Sequence, residues 1–111
     1  MKNLPSVTEA SFAAEVLGSS VPVLVDFTAT WCAPCRALAP ILERIAVEAG
    51  PRLKVVTVDG DEQSALASRY GVRGFPTILA FSGGKEVGRQ VGVANKEKLL
   101  ALLEGQRAVA P

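Results

Sequence analysis

The apolar residues of this chain recur with two periods, one typical of helices and one typical of buried strands. Spacings of three and four residues predict helices, whereas short unbroken apolar runs predict strands that are covered on both faces. In chain order the patterns predict a helix over 6–19, a strand over 21–28, a helix over 32–49, a strand over 53–58, a helix over 62–70, strands over 77–81 and 86–91, and a last helix that begins after Asn95. This alternation of helices and strands indicates an α/β fold.

The same patterns indicate where each element lies. The runs over 21–28 and 53–58 are apolar on both faces, so both are expected to be central strands of the sheet. The strand over 86–91 follows a tight turn at 82–85 and is expected at an edge. Inward-facing side chains are expected at Phe12, Val16 and Leu17 in the first helix, at Leu38, Ile41, Leu42 and Ile45 in the second, and at Leu99, Leu100, Leu102 and Leu103 in the last.

Glycine, proline and capping residues mark the expected helix ends. Thr8 or Ser6 is expected to cap the first helix. Pro40 should bend the second helix, because it lacks an N–H and clashes with the preceding turn. The helices are expected to end at Gly18, at Gly50–Pro51 and at Gly71.

The length and composition fit one small domain. A chain of 111 residues that is 49% hydrophobic can bury one core. We therefore expect a single domain over 1–111, with a short flexible tail at about 106–111. The 12 Lys and Arg residues are scattered and balance 11 Asp and Glu residues, leaving a net charge of +1. Nucleic acid and anionic membrane surfaces are therefore not expected as partners.

The N-terminal segment and the hydropathy bear on location. No apolar stretch approaches the roughly 20 residues that a membrane span requires. Residues 1–5 lack the apolar region of a signal peptide. We expect a cytoplasmic monomer with no membrane partner.

The chemistry of the chain is concentrated in Trp31-Cys32-Ala33-Pro34-Cys35, which holds both of its cysteines. A Cys-x-x-Cys pair where a strand leads into a helix is typical of a dithiol that cycles with a disulfide. The first sulfur would lie at the helix N-terminus, where free N–H groups and the helix dipole stabilise a thiolate. The second would lie one turn into the helix and be shielded. This asymmetry predicts that Cys32 is the more exposed, attacking thiol and Cys35 the resolving thiol.

Other uses of the two cysteines fit the sequence less well. A zinc site needs about four ligands, typically Cys or His, and this chain has two Cys and no His. A purely structural disulfide across so short a loop would restrict the unfolded chain little. Two unrelated buried cysteines stay open as an alternative.

The motif and its surroundings resemble the active site of the thioredoxin family. The same order and spacing hold for Val25-Asp26-Phe27 before the motif and for Ala39-Pro40, the stretch 70–77, Gly83-Gly84 and Val91-Gly92 after it. The resemblance extends from about Ser6 to Leu103. It implies a thioredoxin fold, with a central mixed β-sheet flanked by helices on both faces. It also implies a protein-disulfide reductase and electron carrier without a bound cofactor, re-reduced by an NADPH-linked thioredoxin reductase.

The resemblance also implies roles for individual residues. Asp26 would be a buried proton relay for Cys35, and an acidic residue within so apolar a strand argues against simple exposure to water. The Phe75–Pro76 bond would be cis, with Pro76 beside the dithiol and the Phe75 backbone free to pair with an extended substrate. A substrate-binding patch would comprise Trp31, Ala33, Pro34, Phe75, Gly92, Val93 and Ala94. Gly92 could equally be an ordinary glycine at a strand end.

Three positions depart from the usual family pattern. Ala33 replaces a glycine, Thr28 replaces a tryptophan and Thr57 replaces a lysine. The last change removes an ammonium that usually lies near the buried aspartate. None of the three removes a sulfur, so the dithiol reaction is expected to survive.

Two further interpretations of the function remain at this point. One is a binding or chaperone-like module on a thioredoxin fold, with incidental redox activity. The other is a disulfide isomerase or oxidant, although those branches of the family often carry His between the cysteines and this chain has none.

Overall fold

The fold is a four-stranded mixed sheet covered by helices on both faces. The computed structural model describes residues 4–104. Its elements, in chain order, are α1 (Glu9–Phe12, continued by a π-helical turn, Ala13–Leu17), β1 (Val23–Thr28), α2 (Ala33–Ala49), β2 (Lys54–Asp59), α3 (Ser64–Arg69), β3 (Thr77–Ser82), β4 (Lys85–Val91) and α4 (Lys96–Ala101, continued by a 3₁₀ turn, Leu102–Glu104). The predicted α/β fold with a central mixed sheet is confirmed. The extent of the domain, 1–111, stays a prediction, and the tail expected at 106–111 lies outside the described residues.

Strand β1 lies inside the sheet, whose order is β2-β1-β3-β4. It pairs in parallel with β2 and antiparallel with β3, and β3 pairs antiparallel with β4. Because successive side chains point to opposite faces, Val23, Val25 and Phe27 pack with α1 and α3. Leu24 faces the other layer, with α2 and α4. Burial on both faces explains why this strand is apolar almost throughout.

Strand β2 is an edge strand of this sheet, so the prediction that it is central is wrong. Helices cover both of its faces, and this makes it as apolar as an internal strand would be. Its free edge is partly closed by the N-terminal segment. The Thr57 N–H donates to the Pro5 carbonyl at 2.9 Å, and the Val7 N–H donates to the Thr57 carbonyl at 2.8 Å. The apolar pattern of β2 shows that both of its faces are covered, but it does not show which strands pair with its edges.

Helix α1 begins later than predicted. Thr8 is its cap, because the Thr8 hydroxyl accepts from the Ser11 N–H while the Ser11 hydroxyl accepts from the Thr8 N–H. Beyond Phe12 the chain forms a π-helical turn that Gly18 ends, with its N–H donating to the Ala13 carbonyl. Ordinary helical spacing does not hold in such a turn. Leu17 is consequently exposed rather than inward as predicted, whereas Phe12 and Val16 are buried.

The two helices of the other layer follow the prediction closely. Leu38, Leu42 and Ile45 of α2 are fully buried, while Ile41 packs against them with part of its surface exposed. Gly50, at φ 58°, ends α2. The bend expected at Pro40, which lies within α2, stays a prediction. Asn95 caps α4 by accepting from the Lys98 N–H at 2.8 Å. Of the four leucines expected inward in the last helix, Leu99 is fully buried and Leu100, Leu102 and Leu103 are partly buried.

The turn between β3 and β4 is formed by Gly83 and Gly84, with φ of 61° and 82°. Two consecutive left-handed residues are what a tight two-residue hairpin turn requires, and glycine adopts them without strain. The predicted turn and the predicted edge position of β4 are confirmed.

We predict that Gly88→Ala, in β4, lowers the free energy of unfolding by about 1–3 kcal/mol, a typical cost of overpacking. A Cβ at position 88 would lie 2.5 Å from the carbonyl oxygen of Leu102 and 3.1 Å from its carbonyl carbon. Because these are backbone atoms, β4 and the turn after α4 would have to separate. Urea unfolding measures the change.

Gly74→Ala is the matched control, since a Cβ there meets nothing within 4 Å and φ is not in the left-handed range. Its stability should stay within about 0.5 kcal/mol of wild type or rise slightly. Equal losses for both variants would contradict the steric explanation.

Candidate functional site

The two cysteines lie where β1 leads into α2. Cys32 is the N-cap of α2, and Cys35 lies in its first turn. Their Cα atoms are 5.3 Å apart and their sulfurs form a disulfide. Pro34 occupies the first turn, where its missing N–H costs no helical hydrogen bond. The spacing in the sequence thus places both sulfurs on one turn, as a reversible disulfide needs.

The start of α2 supplies a hydrogen-bond donor to one sulfur. The Cys35 N–H donates to Cys32 Sγ at 3.2 Å. The same sulfur therefore takes the place of the side-chain oxygen that usually caps a helix. A negative charge on Cys32 would be stabilised by this N–H and by the helix dipole.

Exposure does not distinguish the two cysteines, contrary to expectation. In the disulfide form each is 3% exposed. Their neighbours differ instead. Cys32 Sγ lies 3.6 Å from the carbonyl oxygen of Phe75, whereas Cys35 lines a cavity that also reaches Asp26. The asymmetry between the sulfurs lies in what surrounds them.

Asp26 is buried, as predicted. It is 4% exposed, and its Oδ1 has no hydrogen-bond partner within residues 4–104. It follows Leu24 on the face of β1 that is turned toward α2 and α4. Removal of water from the carboxylate raises its pKa from 3.8 to about 7. The group can therefore hold or accept a proton near neutral pH.

A cavity of about 170 Å³ that opens to the surface lies beside Asp26. It lies between β1, β2 and the start of α2. It is lined by Leu4, Asp26, Thr28, Ala29, Thr30, Cys35, Arg36, Ala39 and Thr57. Two of the three positions that depart from the family pattern, Thr28 and Thr57, therefore contribute hydroxyl-bearing side chains beside the carboxylate. Thr57 is also the β2 residue paired with Asp26.

The Phe75–Pro76 bond is cis, as the resemblance implies. Pro76 is buried, and its carbonyl accepts from the Gly92 N–H at 2.9 Å. Gly92 has φ of 90°, and a Cβ on it would meet nothing within 4 Å. The backbone there is left-handed and faces open space, so the close approach of a substrate backbone at Gly92 stays compatible with the geometry.

Apolar side chains surround the dithiol on the surface. Trp31 is 66% exposed and its Nε1–H donates to Asp61 Oδ2 at 2.6 Å. The ring centroids of Trp31 and Phe75 are 6.0 Å apart with the planes at 62°. Exposed residues of the expected patch also include Ala33, Pro34 and Val93. Apolar side chains are therefore exposed to water beside the Cys32–Cys35 disulfide.

Ala94 was expected in that patch, but its side chain is buried. It is 9% exposed and packs in the core beneath α2 and α4. Val93 faces outward and Ala94 inward before Asn95 caps α4. The Ala94 side chain is therefore not available to a partner.

Sequence reasoning missed several residues of the site. Asp61 holds the Trp31 indole from a loop thirty residues away, and no sequence signal links the two. Val91 is 70% exposed immediately before Gly92. A valine at the end of a predicted edge strand was the sequence signal that could have identified it. Leu4 and Ala39 reach the Asp26 cavity only through the tertiary fold.

The described residues contain neither a cluster of metal ligands nor a membrane-spanning helix. Within residues 4–104, no three His, Cys, Asp or Glu side chains lie close enough together to hold a metal ion. In the same part of the chain, no helix has the length and hydropathy needed to cross a bilayer.

Comparison with known proteins agrees with this site. The family model described as Thioredoxin matches residues 3–105. Thioredoxin 1 of Nostoc sp. is 46% identical over 104 residues, which cover 94% of this chain and 97% of that protein. Thioredoxin of Acidithiobacillus ferridurans is 47% identical over 100 residues, covering 90% and 93%. The M-type chloroplastic thioredoxin of Chlamydomonas reinhardtii is 44% identical over 99 residues, covering 89% and 71%.

A reversible disulfide at a helix N-terminus, the fold that carries it and these relatives lead to one conclusion. The chain belongs to the thioredoxin family, and through Cys32 and Cys35 it is a thiol–disulfide oxidoreductase that reduces protein disulfides.

Proposed function

We propose that Cys32 is the attacking thiolate and Cys35 the resolving thiol of this reductase. The observation that carries the assignment is the Cys35 N–H directed at Cys32 Sγ. Cys32 attacks a substrate disulfide, forms a mixed disulfide and releases one substrate thiolate. Cys35 loses its proton and attacks Cys32, which releases the second substrate thiolate and leaves the Cys32–Cys35 disulfide. Two electrons pass to the substrate.

Asp26 is the base in the second step of this proposal. Its support is the cavity that Asp26 and Cys35 share. A volume of about 170 Å³ has room for several water molecules, each of which occupies about 30 Å³ in the liquid. The Cys35 proton can travel through water to a carboxylate whose pKa of about 7 suits proton acceptance at neutral pH.

The substrate lies across the exposed residues beside Cys32 in this proposal. Pro76 packs behind the site, and the Phe75 backbone pairs with an extended segment of the substrate. Trp31, Ala33, Pro34 and Val93 contact substrate side chains, and Gly92 admits the substrate backbone. Support comes from the 3.6 Å separation of Cys32 Sγ and the Phe75 carbonyl oxygen and from the exposure of the apolar residues.

Family membership implies disulfide-containing substrates and a reductase partner in general. We propose that the reductase is an NADPH-linked thioredoxin reductase and that the chain binds no cofactor of its own. We further propose that it acts as a monomer in the cytoplasm. The balanced charge of the sequence supports a partner other than nucleic acid.

The roles of the cysteines predict a difference between two single variants. Cys35→Ser should accumulate mixed disulfides with substrate proteins, because the thiol that releases the substrate is missing. Cys32→Ser should accumulate none, since it lacks the attacking sulfur. Non-reducing gel electrophoresis after mixing each reduced variant with oxidised insulin measures the trapped species. Trapping by Cys32→Ser rather than Cys35→Ser would reverse the assignment.

The reductase proposal predicts catalytic turnover. With NADPH and a bacterial thioredoxin reductase, the wild type should reduce insulin disulfides continuously, and Cys32→Ser should not. The loss of NADPH absorbance measures the rate. Reduction of insulin by the dithiothreitol-reduced protein without any turnover on NADPH would contradict this partner while leaving the dithiol chemistry intact.

Burial of Asp26 predicts a signed dependence of stability on pH. The folded pKa of about 7 exceeds the ordinary value of 3.8, so between these values the folded state binds more protons than the unfolded state. The free energy of unfolding therefore falls as pH rises from about 4 to about 7 and stays reduced above that. Asp26→Asn should be more stable than wild type by about 1–4 kcal/mol at pH 8. The difference should shrink toward zero near pH 4.

Urea unfolding from pH 4 to 9 measures this effect. Glu62→Gln, which alters an exposed carboxylate and keeps Asp26, is the control, and its difference in stability from wild type should not grow with pH. In single-turnover assays at pH 7, Asp26→Asn should also resolve a preformed Cys32 mixed disulfide about 10-fold more slowly or worse. A variant that resolves it as fast as wild type would remove Asp26 from the mechanism.

A further inference from the structure

The Phe75 ring occupies space that exists only because residue 60 is glycine. A Cβ at Gly60 would overlap with Cε1 and Cζ of the Phe75 ring. Gly60 is buried, and Phe75 is partly exposed. The ring therefore packs directly on the backbone of the loop that follows β2.

Hydrogen bonds hold that loop in place. The Gly60 N–H donates to the carbonyl of Thr28, at the end of β1, at 2.8 Å. The next two N–H groups, of Asp61 and Glu62, both donate to Asp59 Oδ1 at 3.0 and 3.1 Å. The position of the loop is thereby fixed to β1, the strand that delivers Cys32 to the site.

The ring in turn borders the dithiol. Phe75 packs against the small cluster formed by Ala29, Cys32 and Cys35. Its ring also meets the edge of Trp31, and Asp61 holds that indole through a hydrogen bond from Nε1. One loop, 60–63, thus supports the Phe75 ring through Gly60 and holds the Trp31 ring through Asp61.

We propose that Gly60 is a positioning residue that seats the Phe75 ring, and that Phe75 and Trp31 together form an aromatic wall beside Cys32. The wall selects protein disulfides in which a large apolar side chain neighbours the attacked cysteine. A substrate sulfur bonded to Cys32 lies about 2 Å from Sγ, so the side chain next to it is within reach of both rings. This inference rests on the proposed role of Cys32 and names the substrate class for that site.

The ring has room to leave its seat, which makes the proposal testable in a folded protein. A groove of about 330 Å³ runs beside Phe75, lined in part by Gly60, Ala67 and Val72. In Gly60→Ala the ring should swing into this groove, because the obstructing atoms belong to the far end of its side chain. Trp31 is the one tryptophan of the chain. Its fluorescence should change in Gly60→Ala and not in Gly74→Ala.

The decisive measurement compares two peptide disulfides that differ in one residue, Leu or Ser, before the attacked cysteine. Second-order rate constants are measured with pre-reduced protein, and 2-hydroxyethyl disulfide, which has no side chains, is the reference. Wild type should prefer the Leu peptide, and Gly60→Ala should lower the Leu-to-Ser ratio by about 3- to 10-fold, the range expected for losing an aromatic contact. Gly74→Ala should keep the wild-type ratio.

A substitution of Phe75 itself distinguishes loss of the aromatic wall from general damage to the fold. Phe75→Ile alone removes the ring and should lower the Leu-to-Ser ratio, and adding Gly60→Ala to it should lower the ratio no further, so the two changes should be non-additive. An unchanged ratio in Gly60→Ala, or an equal loss with all three disulfides, would overturn the proposal. Failure of the wild type to reduce 2-hydroxyethyl disulfide would instead contradict the dithiol chemistry itself.

Discussion

The structure depends on the burial of β1 between two layers of helices. Val25 and Phe27 pack on one layer and Leu24 on the other, so neither face of this strand meets water. Hydrophobic burial of this kind is the largest favourable term in folding, and it fixes the strand rigidly. The strand ends at Thr28, and the chain must turn at once into α2. The dithiol therefore follows a strand that is buried on both faces.

The same burial creates the electrostatic asymmetry of the site. Asp26 shares the enclosed face of β1, and losing its water raises its pKa to about 7. The cavity beside it reaches Cys35, whereas Cys32 lies at the helix N-terminus beside Phe75. Because both cysteines are equally buried in the disulfide form, their different chemistry follows from their neighbours. Thr57, where a lysine is usual, leaves the carboxylate without an ammonium beside it in β2.

The surface around the dithiol is assembled from segments that are far apart in the sequence. Trp31 comes from the turn before α2, Asp61 and Gly60 from the loop after β2, and Phe75 from the loop before β3. Apolar groups left in water usually mark a surface that binds something. Here they border the only pair of cysteines in the chain. The contacts between these loops determine the shape that a substrate meets.

The sequence by itself determined the order of most elements, the Cys32–Cys35 pair at a strand-to-helix junction and the burial of Asp26. These features follow from local spacing, because periodicity reports which faces are covered and Cys-x-x-Cys spacing places two sulfurs on one helical turn. Only the tertiary structure decided that β2 lies at an edge, that Leu17 is exposed, that Ala94 faces the core and that Gly60 seats Phe75. The physical reason is that sheet order, a π-helical turn and contacts between distant loops depend on non-local packing, which a residue's immediate neighbours in the chain do not specify.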